Sequence, residues 1–248
     1  MSRQAKGVFQ EIERRLQARV TLDPEYKRFR EKTTKLEVLG LRLPVMQEIE
    51  ESGFSFYDEP QDKILNIWQQ IWNAATIHEV MYLPLFYYRR HRQELGPLHW
   101  KMMKQWINRV ENWEHADALC QLYSILYERN PKRLLPTLRQ WNRSSNPWKR
   151  RASIVSTIYY ASPRRKAPTL KTVLSLVKPL ILDKNAYVQK AVGWQLREAY
   201  KLWPKESLVF LKKHTLDLSA TSFSYATERL PKNQRNQFKE RRHLERKK

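Results

Sequence analysis

An all-α fold, an α-solenoid of HEAT-like helix pairs with a concave basic face, is predicted by three features of this sequence. Five glycines in 248 residues are too few for a β-rich chain with many tight turns. Apolar residues recur at helical spacing, as at Leu134, Leu135, Leu138 and Trp141. The helices also recur in pairs. Trp113, Trp148, Val188 and Phe223 each stand near the start of a second helix, at separations of 35, 40 and 35 residues. A period of about 35 to 45 residues with two helices per unit marks stacked helix pairs. Identity between the units is low, so the reading rests on spacing and apolar pattern.

The expected elements, in order, are helices of roughly ten to twenty residues joined by short turns. Trp113 opens a second helix that begins Asn112-Trp113-Glu114-His115-Ala116-Asp117. Pro131 opens the next first helix, since proline is tolerated at a helix start and disrupts a helix interior. Ser144-Ser145-Asn146-Pro147 is a polar turn leading into Trp148. After a loop from Pro163, Pro168 opens a helix carrying Val173, Leu174, Val177, Leu180 and Ile181. Asp183-Lys184-Asn185 turns into the helix of Val188, Pro204 opens another, and Phe223 begins the last pair member. This gives one HEAT-like repeat domain over residues 1–230 and a basic tail over 231–248. The last twenty residues, from Arg229, hold nine Lys and Arg against Glu240 and Glu245. It reads either as a disordered, solvated arm or as an arm that adds phosphate contacts.

Charge narrows the partner. Between Glu128 and Asp183 there is no acidic residue, and those 54 positions hold 13 Lys and Arg. A net charge of +22 with 41% hydrophobic residues describes a chain that is basic yet able to fold. One-signed charge costs self-repulsion and points to a polyanion, nucleic acid first and an acidic membrane surface second. The longest apolar stretch, Thr172 to Leu182, is interrupted by Lys178 and Pro179, so no bilayer span is expected. The first residues lack an apolar signal core, and Cys120 is the lone cysteine, which excludes a disulfide framework and fits a reducing cytoplasm. No metal-ligand spacing, P-loop or dinucleotide-binding glycine pattern occurs.

Three second helices carry unusual residues at matching positions. Trp113 and Asp117 are four apart and share a helix face. Arg151 lies three beyond Trp148, and Trp194 six beyond Val188. Stacking the units is expected to bring a carboxylate, a guanidinium and two indoles into one concave patch. Singly, each has a plainer reading: a core Trp, an Asp complementing a helix dipole, a solvated Arg, and at Gly193 close packing as readily as ligand approach. Jointly they suit one chemistry. An N3- or N7-alkylated purine is cationic and attracted to indole faces. Breaking its glycosidic bond leaves positive charge on the sugar, which a fixed carboxylate stabilises. Arg151 can hold a neighbouring phosphate bidentately.

Trp113-x-x-x-Asp117, Trp148-x-x-Arg151-Ala152 and Gln189-Lys190-Ala191-Val192-Gly193-Trp194-x-Leu196-Arg197-Glu198 together resemble the HEAT-repeat alkylpurine DNA glycosylases, the AlkD family. Leu39-Gly40-Leu41-Arg42-Leu43-Pro44-Val45 is similar to that family's turn after its first helices. The resemblance covers Trp113 to Leu230 well and the N-terminal half loosely. It implies a monofunctional glycosylase that releases N3- and N7-alkylpurines from duplex DNA, with no metal or organic cofactor, and that engages the lesion without flipping it into a pocket, contrary to most base-modifying enzymes. It implies Asp117 as the catalytic carboxylate, Trp113 and Trp194 as the active-site indoles and Arg151 as the phosphate grip. Lys149, Arg150, Arg164, Arg165, Lys166, Lys190 and Arg197 are the expected supporting DNA contacts. The family's early-helix aromatic corresponds to Tyr26 or Phe29, and Asn112 stands where some members have a second Trp. A monomer in the cytoplasm, on the nucleoid in a bacterium, is expected. The alternatives are a non-catalytic binder of distorted or branched nucleic acid, which needs no carboxylate at Asp117, and a scaffold for acidic proteins.

Overall fold

A computed structural model describes residues 1–20, 23–158 and 167–246, excepting the side chain of Arg246. The chain, expected as one repeat domain with a tail, divides into two compact units, Met1–Leu126 and Tyr127–Lys248. Among the described residues every named element is helical, and the one bridge, Glu37 to Ile77, is isolated. No helix among them is long and apolar enough to cross a membrane.

The first unit holds α1 (Arg3–Gln17), α2 (Pro24–Glu31), α3 (Leu43–Glu51), α4 (Gln61–Ala74), α5 (His78–Arg90), α6 (Pro97–Met103) and most of α7 (Trp113–Arg129). α1 buries Ala5, Val8, Ile12 and Leu16, one stripe at helical spacing. α5 is buried at every residue from His78 to Tyr88, so it is the unit's central helix. Trp72 and Trp106 stack with centroids 4.8 Å apart. Each indole N–H finds an acceptor, the Trp106 carbonyl at 3.1 Å and Gln69 Oε1 at 2.7 Å. Burying these two large rings therefore leaves neither donor unpaired.

The second unit holds α8 (Pro131–Asn142), α9 (Pro147–Val155), α10 (Leu170–Val177), α11 (Ala186–Leu202), α12 (Pro204–His214), α13 (Ala220–Thr227) and α14 (Lys232–Arg246). α11 is its centre, with Val188, Ala191, Val192, Gly193, Leu196 and Ala199 buried. A Cβ on Gly193 would lie 2.6 Å from the Ser222 carbonyl oxygen and from Tyr225 Cβ, so α11 meets α13 at a distance only glycine permits. Of the two readings open for Gly193, close packing is the one seen.

The punctuation follows local chemistry. Asp23-Pro24, Asn130-Pro131 and Asn146-Pro147 each place an Asx cap before a first-turn proline, and each cap oxygen accepts a backbone N–H at the helix start. Thr169, Asn185 and Ser219 cap α10, α11 and α13 in the same way. Each such cap contributes about 1 kcal/mol. Pro131 and Pro204 open helices as expected, whereas Pro168 precedes the Thr169 cap and α10 starts at Leu170. α10 ends at Val177 and continues as a single 3-10 turn, Lys178–Leu180, because Pro179 has no N–H to extend the ladder. Several helices are shorter than expected, α6 having 7 residues and α2, α10 and α13 having 8 each. The expected tail is helix from Lys232 to Arg246, since it has a buried anchor, Arg242.

Candidate functional site

Trp113 is the first residue of α7, and Asp117 follows one turn later; both are half-buried. The helix start is held by a buried polar network. Asn112 Oδ1 accepts the His115 backbone N–H at 2.9 Å, capping α7. The same amide then points Nδ2 at His115 Nδ1, 2.9 Å away. Nδ2 can only donate, so His115 carries its hydrogen on Nε2 and donates it to the His78 carbonyl at 3.0 Å. His115 is fully buried, and burial above all, with His78 next, holds its pKa well below the usual imidazole value. Asn112, standing where some relatives are expected to have Trp, is thus a structural cap.

Glu114, beside Trp113, is buried against the guanidinium of Arg30 from α2. Its other oxygen lies 3.2 Å from His78 Nε2. Burial, with Arg30 second, pushes the His78 pKa down to about 4, so this contact involves a neutral ring and Arg30–Glu114 is the true ion pair. Arg30 also donates to the Tyr26 hydroxyl at 2.8 Å and lies 4.8 Å over the Tyr26 ring. Arg42 lies 4.8 Å over that ring too and is paired with Asp23 at 2.7 Å. Of the two early aromatics, then, Tyr26 is built into the α7 network, whereas Phe29 is 53% exposed. Tyr82 of α5 lies against His78 and His115. Burial first keeps its hydroxyl protonated, opposed by Arg30 and reinforced by Tyr26, Asp117 and Glu79.

The Leu39–Val45 turn is fixed by one carboxylate. Glu79, buried on α5, accepts the backbone N–H groups of Leu39, Gly40 and Leu41 at 3.1, 2.8 and 3.2 Å. Gly40 has φ +90°, a conformation that favours glycine. Glu79, Glu114, Arg30, His78 and His115 were not singled out in the sequence, for they come together only when α2, α5 and α7 pack. An acidic or basic residue in an otherwise apolar helix such as α5 was the available signal.

In the second unit, Tyr187 at the start of α11 gathers three expected residues. The Trp148 ring lies 5.0 Å from it, Lys190 Nζ lies 5.4 Å over its face, and Arg151 donates to its carbonyl. Arg151 is buried, Lys190 exposed, and Lys149 and Trp194 half-buried. Two expected DNA contacts have other work. Arg150 grips Asp183 with Nε and Nη2, at 2.6 and 3.1 Å, and donates Nη1 to the Ser144 and Ser145 carbonyls, both at 2.8 Å. It is a strut between two interhelical turns. Arg197 pairs with Glu228 at 2.6 Å and with Glu198 at 3.3 Å. That pairing, Arg197 foremost, holds the Glu228 carboxyl below its usual pKa. Arg164, Arg165 and Lys166 lie outside the described residues. Within the Gln189–Glu198 motif, Gln189 binds the Ile181 carbonyl at 3.0 Å and Ser222 of α13 binds the Gln189 carbonyl at 2.8 Å, so much of the motif is packing.

A family model described as a DNA alkylation repair enzyme matches residues 14–230. Three solved structures are similar. A predicted DNA alkylation repair enzyme from Enterococcus faecalis has a TM-score of 0.67 at 17% identity, covering 79% of this chain and 90% of that one. AlkD2 from Streptococcus mutans has a TM-score of 0.55 at 17% identity, covering 84% of this chain and 99% of its own. The smu.31 protein of Streptococcus mutans UA159 has a TM-score of 0.54 at 18% identity, covering 76% and 93%. At these identities the likeness fixes the fold alone. Among curated proteins none matches significantly. Paired helices and this similarity give the chain the helical-repeat fold of those structures. The family match spans most of the sequence, and the chain belongs to the DNA alkylation repair enzyme family, whose role is repair of alkylated DNA and whose partner is DNA.

Proposed function

We propose that this chain is a monofunctional DNA glycosylase, acting as a monomer without metal or organic cofactor, that hydrolyses the N-glycosidic bond of N3- and N7-alkylated purines in duplex DNA. The observation that carries the reading is Asp117, a half-buried carboxylate one turn from the half-buried indole of Trp113, on a helix whose start is locked by neutral histidines and a buried ion pair. A carboxylate carried on a helix start fixed this way has its backbone placed before a cation forms beside it, and such preorganisation is what makes electrostatic stabilisation effective.

In the reaction the C1′–N bond breaks with its electron pair going to the cationic base, which departs neutral. The sugar takes the positive charge. Asp117 stabilises that charge and orients a water; the water oxygen bonds to C1′ and its surplus proton passes to Asp117 or to solvent. The products are free base and an abasic site. Trp113 and Trp194 contact the lesion nucleotide through their ring faces. Arg151 holds a phosphate, with Lys149 and Lys190 in support.

The test is release of 7-methylguanine from methylated duplex. Asp117→Asn is expected to abolish it while duplex affinity stays within a few-fold, because the amide keeps the shape and loses the charge. Full excision by that variant would remove the assigned role, and no excision by the parent protein would leave a non-catalytic DNA binder.

A further inference from the structure

We infer that the cleft between the end of α9, the start of α10 and the C-terminal half of α11 is a binding site for a free, neutral purine base, separate from the DNA site proposed above. Its lining residues all belong to the second unit. Its volume is about 180 Å³, and its walls are mainly apolar, with Ile158, Val173, Ala199, Leu202 and Trp203 among them. A cavity of ~150 Å³ already admits one benzene ring, so this cleft has room for a two-ring base.

One polar group in those walls is uncommitted. Gln195 lines the cleft, is 3% exposed, and its Oε1 is buried without a hydrogen-bond partner. The whole Gln195 amide makes no hydrogen bond among the described residues. The neighbouring polar groups are already engaged. The Thr157 hydroxyl donates to the Ile154 carbonyl at 2.8 Å. Glu198 is paired with Lys201 at 2.7 Å and with Arg197 at 3.3 Å, so the lining offers no unpaired acid to a charged ligand. Gln189, the other buried glutamine of α11, shows what a structural amide does: it donates to the Ile181 carbonyl at 3.0 Å and its Oε1 accepts from Ser222. Leaving a buried amide unpaired is costly, and each such exception calls for a partner. Gln195 is also the position left open in the Gln189–Glu198 motif, so the family pattern does not account for it.

An amide offers an acceptor beside a donor. Its complement is a donor beside an acceptor in the plane of a ring, the edge that adenine presents at its N6 amino group and N7, and glutamine reads that edge with two hydrogen bonds. Apolar walls suit the ring faces. Gln195 follows Trp194 by one residue, about 100° round the helix, so the cleft opens on a face of α11 other than that of Trp194. The inference does not rest on the glycosylase reading.

The experiment is titration of the full-length protein with free adenine, followed at the methyl resonances of Ile158, Val173 and Leu202. Saturable shifts are expected. In 6-methylpurine a methyl replaces the amino group and the donor is lost, so it should bind about tenfold more weakly. Gln195→Leu should abolish that preference, with a urea midpoint at or above the parent's because an apolar group replaces an unmade acceptor. Excess duplex should leave the adenine shifts in place. Absence of shifts at these methyls, equal affinity of the parent protein for the two purines, or displacement of adenine by duplex would each overturn the inference. The parent comparison needs no variant, and none of these readouts uses base excision, so failure of the glycosylase reading would leave the cleft to be decided on its own.

Discussion

At His78, burial and charge oppose protonation together. The ring is 2% exposed and close to the Arg30 guanidinium, which brings its pKa down to about 4. The unfolded chain has an ordinary imidazole near 6.5. Between these values the unfolded state binds more protons than the folded one, so stability rises with pH there. The stabilisation is complete above about 6.5 and is lost as pH falls toward 4. Urea midpoints measured from pH 7 downward should decline, and the decline should be shallower in His78→Asn, even though that variant starts less stable. Equal slopes would mean that His78 is not held neutral. Arg30 and Glu114 pose the complementary case. A buried pair repays its desolvation only with good geometry and hydrogen bonds, so its contribution lies in fixing Tyr26, α2 and the start of α7 in one arrangement.

At the scale of elements, the helix starts were legible because their causes are local. A side-chain oxygen that accepts a first-turn N–H, followed by proline, needs nothing from the rest of the fold, and Asn130-Pro131 and Asn146-Pro147 behave alike. Gly193 is different. In an isolated helix, Ala in its place is favoured by about 1 kcal/mol. Here the added methyl would meet backbone of α13 at 2.6 Å. Gly193→Ala should therefore destabilise the protein by about 1–3 kcal/mol, the cost of overpacking, as read by urea denaturation. A stabilised variant would show that α11 and α13 can part without loss. The loop from Pro163 to Pro168 carries no such local signal, and most of it lies outside the described residues.

For the whole molecule, +22 on a folding chain of a DNA repair family sets the energetics of encounter. Releasing condensed counterions drives binding, and added salt cancels that drive. If 6 to 10 phosphates are neutralised, affinity for duplex should fall by roughly 10³–10⁵ between 50 and 200 mM salt. Weak salt dependence beside tight binding to an acidic protein would favour a scaffold. The count of cations nevertheless overstates the binding surface. Arg150, Arg197, Arg241 and Arg242 are all engaged within the fold.

By itself the sequence determined the helical class, the pairing period, the proline-led starts at Pro131 and Pro204 and the basic character. Each depends on spacing along the chain or on composition, which survive without coordinates. Tertiary structure alone decided which charges face solvent and which hold the fold together. A guanidinium looks the same in sequence whether it meets Asp183, a helix-end carbonyl or water, because its partners are brought to it by packing from distant residues. For the same reason the Arg30–Glu114–His78–His115 network under α7 and the docked helix α14 emerge only once α2, α5 and α7, and α12, α13 and α14, are in place.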